Sequence, residues 1–97
     1  MPRRIEYSRR YFRRLEEISE RIAADNPAAA ARMFERIRAA VERLAASPAI
    51  GRPGRVAETR ELIISGTPYI VPYRVKGEVV QLITVLHSAQ RWPHRFP

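Results

Sequence analysis

The stretch that decides the fold is residues 60–93, RELIISGTPYIVPYRVKGEVVQLITVLHSAQRWP. It contains three runs that are apolar or alternate between apolar and polar residues. Two turn signals separate these runs, SGTP at positions 65–68 and Lys76-Gly77. A period of two is typical of β-strands, and a glycine-containing tight turn between two such runs is typical of a hairpin. The predicted antiparallel strands cover residues 60–64, 69–75 and 78–86.

Pro72 lies within the second predicted strand. Proline has no N–H to donate, so strands accommodate it mainly at edges or bulges. The surrounding residues still favour a strand, and we therefore expect a local disruption of the sheet at Pro72.

The first half of the chain predicts a strand and two helices. Residues 3–7 alternate in polarity, and Ser8 can then cap a helix that runs to about Ala24. Asn26-Pro27 suits the start of a second helix, which should end near Ser47-Pro48. The first apolar stripe comprises Tyr11, Leu15, Ile18 and Ile22, and the second Ala30, Met33, Phe34, Ile37, Val41 and Leu44.

This order of elements predicts an α+β fold in a single domain that spans residues 1–97. The short link makes the two helices an antiparallel hairpin, packed on a small, mainly antiparallel sheet. Residues 48–58 contain two prolines and two glycines and predict a loop. The side chains expected to be buried are Leu15, Ile18, Phe34, Ile37, Val41, Leu62, Ile64, Leu82 and Val85.

The composition limits the class of protein. The chain has 97 residues and no cysteine, so no disulfide stabilises it, as in proteins of a reducing compartment. No apolar run is long enough to span a bilayer. The basic N-terminus is followed by an amphipathic pattern where a signal peptide has an apolar block. We expect a soluble, unexported, cytoplasmic protein.

The net charge of +8 predicts an anionic partner. Nearly all of the cations are arginines, Lys76 being the one lysine, and both halves of the chain carry an excess of them. Such a charge favours nucleic acid, an enzyme that acts on nucleic acid, or an acidic protein segment. The preference for arginine over lysine also has a simpler explanation, a GC-rich genome.

Signatures of metal, nucleotide or nucleophile chemistry are absent from the sequence. His87 and His94 are the only histidines, and neither a phosphate-binding glycine loop nor a cysteine pair is present. We therefore expect neither a metal nor a cofactor. The polar side chains left as candidates in the predicted sheet are Arg60, Glu61, Tyr73, Arg74, His87, Gln90 and Arg91.

These residue types could form a metal-free ribonuclease site, which needs a base, an acid and cations on the scissile phosphate. Glu61 or His87 could be the base, and Tyr73 or His87 the acid. Arg74 or Arg91 could hold the phosphate. Most small basic domains contain the same types, so the signal has little specificity.

Each candidate also has a structural explanation. A histidine at a strand end is more commonly a hydrogen-bonding cap than a catalyst. Arg74 could pair across the strands with Glu61 or Glu78. Trp92 is more commonly a core side chain near a chain end than a platform for bases.

Six sequence blocks resemble, in order and spacing, those of the RelE/ParE toxins of bacterial toxin–antitoxin systems. The blocks are Gly51-Arg52-Pro53, Thr59-Arg60-Glu61-Leu62, Gly66-Thr67-Pro68-Tyr69, Tyr73-Arg74-Val75, Val85-Leu86-His87 and Arg91-Trp92-Pro93. The resemblance spans nearly the whole chain and is strongest from Gly51 onward. It implies the α+β fold of that superfamily and a cognate antitoxin as partner, in a heteromeric complex. An exposed apolar groove beside the helical hairpin should accept an extended antitoxin segment.

Within the superfamily the chain is more similar to ParE than to RelE. RelE-like members cut mRNA on the ribosome with several basic residues and a C-terminal tyrosine. This chain has one lysine and no tyrosine after Tyr73, and Ser88 follows His87 where another nuclease branch has a His-Tyr pair. The resemblance therefore implies a growth-inhibiting, plasmid-stabilising toxin that binds DNA gyrase and needs no catalytic residue. The alternatives are a ribosome-dependent endoribonuclease and an inactive remnant that only binds antitoxin.

Overall fold

The computed structural model describes residues 2–96 and contains two long helices and a six-stranded sheet. The helices are α1, Arg9–Asp25, and α2, Pro27–Glu42, which is followed by a 3-10 turn at Arg43–Ala45. The strands are β1 Arg4–Tyr7, β2 Arg52–Pro53, β3 Arg60–Ile63, β4 Tyr69–Lys76, β5 Val79–Leu82 and β6 Leu86–His87. This arrangement confirms the predicted α+β class.

The sheet has the strand order β1-β5-β4-β3-β2, and β6 pairs with β4 beyond the end of β5. Only the pairing of β1 with β5 is parallel among the described strands. The sheet is therefore mainly antiparallel, as predicted. The predicted loop at 48–58 differs from the structure, because β2 lies inside it and pairs with the start of β3.

Both helix starts follow from local capping. The hydroxyl of Ser8 accepts a hydrogen bond from the N–H of Tyr11 at 3.0 Å. The side chain of Asn26 likewise accepts one from the N–H of Ala29, and Pro27 occupies the first turn of α2, where its missing N–H costs nothing. The second helix ends earlier than predicted, since its last turn tightens to the 3-10 form before Pro48.

The sheet is disrupted opposite Pro72, as predicted. Tyr73 pairs with Leu82, and Ile70 pairs with Leu86. Between these two pairs, β4 has two residues, 71–72, and the opposite strand has three, 83–85. The extra residue makes a bulge and divides the predicted strand 78–86 into β5 and β6. The carbonyl of Pro72 accepts a hydrogen bond from the N–H of Ile83. The backbone of Pro72 therefore faces the bulge and not β3. Its missing donor therefore breaks no regular ladder bond.

The hairpin between β4 and β5 is shifted by one residue from the predicted turn. Lys76 pairs with Val79, which leaves Gly77 and Glu78 as the two central residues. Gly77 has φ +55°, and Glu78 is not among the residues with positive φ. A glycine at the first central position is characteristic of a type II′ hairpin turn.

The main core lies between the helices and one face of the sheet, and Phe34 is outside it. Eight of the nine predicted core residues are buried, but 43% of the Phe34 residue surface is exposed. The prediction for Phe34 was wrong because the apolar stripe of α2 is wider than the surface that the sheet covers. Ile37 and Val41 face the sheet instead.

A second, smaller cluster covers the opposite face of the sheet. It consists of Val56, Ile83, Leu86 and Phe96, with Trp92 packed against it. Because successive side chains of a strand alternate between faces, β3 and β4 present Glu61, Ile70 and Arg74 on this second face. The C-terminal segment therefore protects the side of the sheet that the helices leave open.

Candidate functional site

Glu61 is a buried carboxylate held by two arginines. Its side chain is 2% exposed. Its Oε1 accepts from Nε of Arg52 at 2.9 Å, and its Oε2 accepts from the backbone N–H of Arg55 at 2.8 Å and from Nε of the same residue at 3.1 Å. The carboxylate thus fixes the loop between β2 and β3, and these contacts occupy both of its oxygens.

The environment favours the charged form of Glu61. Burial by itself would raise the pKa of this carboxyl, but the hydrogen bonds from Arg55 and Arg52 outweigh burial and hold the pKa below its usual range. A general base works best with a pKa near the operating pH, and a lowered carboxyl pKa moves away from that condition.

Tyr73 is fully buried, and its hydroxyl is engaged on both sides. It donates to the carbonyl of Pro48 at 2.7 Å and accepts from the N–H of Gly51 at 2.9 Å. Burial raises the pKa of Tyr73, although the Gly51 N–H and the charge of Arg60 oppose that effect. These two hydrogen bonds hold the segment before β2 against the middle of the sheet.

Arg60 also holds the segment before β2 in place. Its side chain is half-buried and Nη1 donates to the carbonyl of Gly51 at 2.7 Å. Arg60 pairs directly with Tyr73 across β3 and β4. Both side chains therefore hold the chain around Gly51 from the helix-facing side.

Arg74 is the candidate with the most open surroundings. It borders two surface cavities, of about 340 Å³ and about 560 Å³, the first lined also by Ser8, Arg10 and Gln81. Among residues 2–96 its guanidinium makes one long hydrogen bond, 3.4 Å to the carbonyl of Phe96. The structure pairs Arg74 with Gln81, not with Glu61 or Glu78 as the structural explanation proposed.

His87, Gln90 and Arg91 lie near the other end of β4. The Nδ1 atom of His87 accepts a hydrogen bond from the N–H of Ala89, and Gln90 accepts one from the N–H of His87. With Nδ1 as an acceptor, the neutral ring carries its proton on Nε2. This arrangement matches the structural explanation of a capping histidine. Arg91 is exposed.

The candidate residues are not brought to one place. Glu61 and Tyr73 lie on neighbouring strands but face opposite sides of the sheet, because Tyr73 pairs with Arg60 and not with Glu61. His87 pairs with Tyr69, five residues along β4 from Arg74. At the rise of a strand this separates their backbones by about 17 Å. Within residues 2–96, no group of three or more potential metal-ligating side chains lies together.

The structure has an exposed apolar groove beside the helical hairpin, as predicted, and forms it from aromatic residues that the sequence analysis did not assign to it. Tyr7 and Phe12 stack with ring centres 5.4 Å apart, and with Phe34 they line a groove of about 210 Å³ between the helices. These three residues are 42%, 54% and 43% exposed. The sequence feature that could have indicated this surface is Phe12, a large apolar residue that lies off the buried stripe of α1.

Comparisons with known proteins assign the chain to a family of toxins. A family model described as ParE toxin of type II toxin-antitoxin system, parDE, matches residues 5–92. The chain belongs to this family. It is 50% identical over 91 residues to a protein of Sinorhizobium fredii (strain NBRC 101917 / NGR234) named "Putative toxin Y4kP", with 94% of each chain covered.

Two solved structures have similar folds. The chromosomal ParDE toxin–antitoxin system from P. aeruginosa gives a TM-score of 0.79 at 25% identity, over 88% of this chain and 95% of that one. The toxin–antitoxin complex RelBE2 from Mycobacterium tuberculosis gives a TM-score of 0.61 at 23% identity, over 90% of this chain and 99% of that one. The predicted membership of the RelE/ParE superfamily, on the ParE side, is confirmed. Among the described residues, no helix is long and apolar enough to cross a membrane.

Proposed function

We propose that this toxin acts by binding DNA gyrase and that a cognate antitoxin neutralises it in a heteromeric complex. The family match supports a ParE-like action, and gyrase is the target that the sequence resemblance implied. In this mode of action no side chain transfers a proton, and toxicity depends on the shape and charge of the contact surface.

The arrangement of Glu61 and Tyr73 is the observation that supports binding over RNA cleavage. Both side chains are buried, both are fully hydrogen-bonded to the protein, and they face opposite sides of the sheet. A ribonuclease needs its acid and base on the same phosphodiester. These two residues instead hold the segment from Pro48 to Arg55 on the sheet.

One observation favours the alternative, a ribosome-dependent endoribonuclease. Arg74 borders two open cavities, and Arg10 lines the one near Ser8. Such a cleft could receive a phosphate. A base or acid would have to come from elsewhere, since His87 lies about 17 Å along β4 from Arg74.

The target is tested with toxin expressed without antitoxin, as wild type, His87→Ala and Arg74→Ala. DNA supercoiling by purified gyrase and mRNA cleavage on ribosomes are both followed. We expect wild type and His87→Ala to inhibit gyrase, with no codon-dependent cleavage. In a nuclease, removal of the general acid or base would lower the cleavage rate about 10²–10⁴-fold. Ribosome-dependent cleavage that disappears in a folded His87→Ala or Arg74→Ala variant, with gyrase unaffected, would establish the alternative.

The aromatic groove between the helices supports an antitoxin partner. Stacked and exposed aromatic side chains are enriched at protein interfaces, and a groove between two helices suits the apolar face of a segment that folds on binding. The similar ParDE and RelBE2 proteins are toxin–antitoxin systems. We place the apolar part of the antitoxin contact on Tyr7, Phe12 and Phe34.

This contact is tested by co-expression with the product of the neighbouring reading frame, followed by affinity measurement. Phe12→Ser should weaken the complex at least about fivefold, since truncated aromatic anchors commonly cost more than about 1 kcal/mol. Val75→Thr, which changes an exposed apolar residue outside the groove, should leave affinity unchanged. Equal affinity of wild type and the folded Phe12→Ser variant would exclude the groove.

A further inference from the structure

Beyond the second cluster, the face of the sheet opposite the helices is open and positively charged. Arg74 and Lys76 are two residues apart on β4, so both side chains are on this face, with their backbones about 7 Å apart. Arg10 lines the same cavity as Arg74, and Lys76 lines the second cavity beside Arg74. These two cavities and the three cations form a continuous surface, which we call the basic cleft.

The cations of the basic cleft have no acidic partner within the protein. Arg10 and Lys76 are exposed, and Arg74 is half-buried. Within residues 2–96 none of the three forms an ion pair. Like charges gathered on one surface repel one another, and an anionic partner would turn that repulsion into attraction.

Two carboxylates border the cleft, and one of them is already neutralised. Glu6 accepts hydrogen bonds from Arg4 at 3.4 Å and from Gln81 at 3.3 Å. Glu58 lines the second cavity and, in the described part of the chain, forms no ion pair. Its negative charge therefore opposes an anion in the cleft, and removal of that charge should have the opposite effect to removal of a cation.

The residues of the cleft favour the phosphates of a duplex over a single-stranded nucleic acid. Surfaces that bind single strands stack the bases on exposed aromatic rings. Among the described residues that line the two cavities, the one aromatic residue is Tyr7, whose ring stacks on Phe12 in the aromatic groove. Cations without such a platform contact the backbone and do not read the bases. Each strand of a duplex offers them one negative charge per about 3.4 Å.

We propose that the basic cleft binds the phosphate backbone of duplex DNA, and that the toxin contacts the DNA held by gyrase when it inhibits the enzyme. The second part rests on the proposed function, since gyrase acts on duplex DNA. The aromatic groove lies between the helices, on the other side of the sheet from Arg74 and Lys76. Phe12→Ser and the cleft variants therefore test separate surfaces.

Fluorescence anisotropy of a labelled duplex of mixed sequence tests the cleft without gyrase. Arg74→Gln combined with Lys76→Gln should weaken binding about tenfold or more in dilute salt. Each lost phosphate contact lowers the slope of log affinity against log salt by about one, so this double variant should lose about two. The matched control, Arg21→Gln combined with Arg32→Gln, removes the same charge from exposed positions on the helices and should keep the wild-type slope.

Glu58→Gln should bind the duplex more tightly than wild type, because it removes the carboxylate that opposes the phosphates. Lys76→Glu replaces an exposed side chain that makes no hydrogen bond within residues 2–96, and it tests the cleft if Arg74→Gln disturbs the fold. Equal salt slopes for the two double variants would overturn the proposal. Tighter binding of a single-stranded RNA than of the duplex, lost in the cleft variants, would assign the cleft to RNA and also overturn it.

The contact within the gyrase complex is tested by measuring toxin binding to gyrase alone and to gyrase loaded with a DNA duplex. Wild type should bind the loaded enzyme more tightly. Arg74→Gln combined with Lys76→Gln should lose that gain, and the control double variant should keep it. Equal affinity of wild type for both forms of the enzyme would overturn the contact with gyrase-held DNA. No binding of wild type to either form would refute the gyrase target instead, and the anisotropy measurement would still decide whether the cleft binds DNA.

Discussion

The guanidinium group of Arg55 lies 3.6 Å from the centre of the Trp92 ring. The same arginine donates to Glu61, so a carboxylate, a cation and an indole follow one another across three segments of the chain. They connect β3, the loop before it and the C-terminal segment. This explains how a sheet face without a helix is still closed off from water.

Trp92→Ala should destabilise the protein by about 3 kcal/mol, through lost packing on the second cluster and the lost cation–π contact. Trp92→Phe keeps an aromatic face for Arg55 and should cost less. Urea unfolding followed by circular dichroism measures both, since Trp92 is the only tryptophan and its fluorescence is lost. Equal stability of wild type and Trp92→Ala would show that the C-terminal segment contributes nothing.

Glu61→Gln should reduce stability in a pH-dependent way. The folded protein holds the pKa of Glu61 below the ordinary 4.5, so its contribution is complete above that pH and is lost as the pH falls through the folded value. At pH 7 the variant should be about 2 kcal/mol less stable than wild type, from lost charge-assisted hydrogen bonds. Urea unfolding at pH 7, 5, 4 and 3 should show the difference shrinking below 4.5. A constant difference would contradict this account.

Tyr73→Phe should cost about 2 kcal/mol, because it leaves the buried Gly51 N–H and the Pro48 carbonyl without their partner. Tyr69→Phe is the matched control, since the Tyr69 hydroxyl makes no hydrogen bond within residues 2–96. The control should change stability by less than about 0.5 kcal/mol. Similar thermal melts for the two variants would mean that the hydroxyl of Tyr73 is dispensable.

Ile37→Ala and Phe34→Ala should separate core from surface on one helix. Ile37 is fully buried, so its truncation should cost about 2–5 kcal/mol. Phe34 is 43% exposed, and its truncation should cost about 1 kcal/mol at most. Chemical denaturation measures both. A larger loss for Phe34→Ala than for Ile37→Ala would place Phe34 in the core after all.

The local elements of this protein could be predicted from residues close together in the chain. Ser8 and the pair Asn26-Pro27 start the helices through their own hydrogen-bonding and φ preferences. The period of two marks β3 and β4, and Pro72 signals the bulge because it lacks a donor. The shift of the hairpin turn by one residue shows that such signals locate a turn only approximately.

The candidate site depended on contacts that no short window of sequence contains. Glu61 is a structural anchor because Arg52 and Arg55 approach it from a neighbouring segment, and Tyr73 because the chain near Gly51 folds over it. The apolar pattern of α2 identified Phe34 as hydrophobic. Whether it lies in the core or in a surface groove depended on how much of the helix the sheet covers.

The sequence by itself determined the elements, their order and the family, because backbone preferences, capping and apolar periodicity act between near neighbours. The tertiary structure alone decided which polar groups are buried, which aromatic side chains reach the surface, and which cations meet in the basic cleft. The physical reason is that burial and strand pairing arise between segments distant in the chain, and the packing of the whole molecule fixes both.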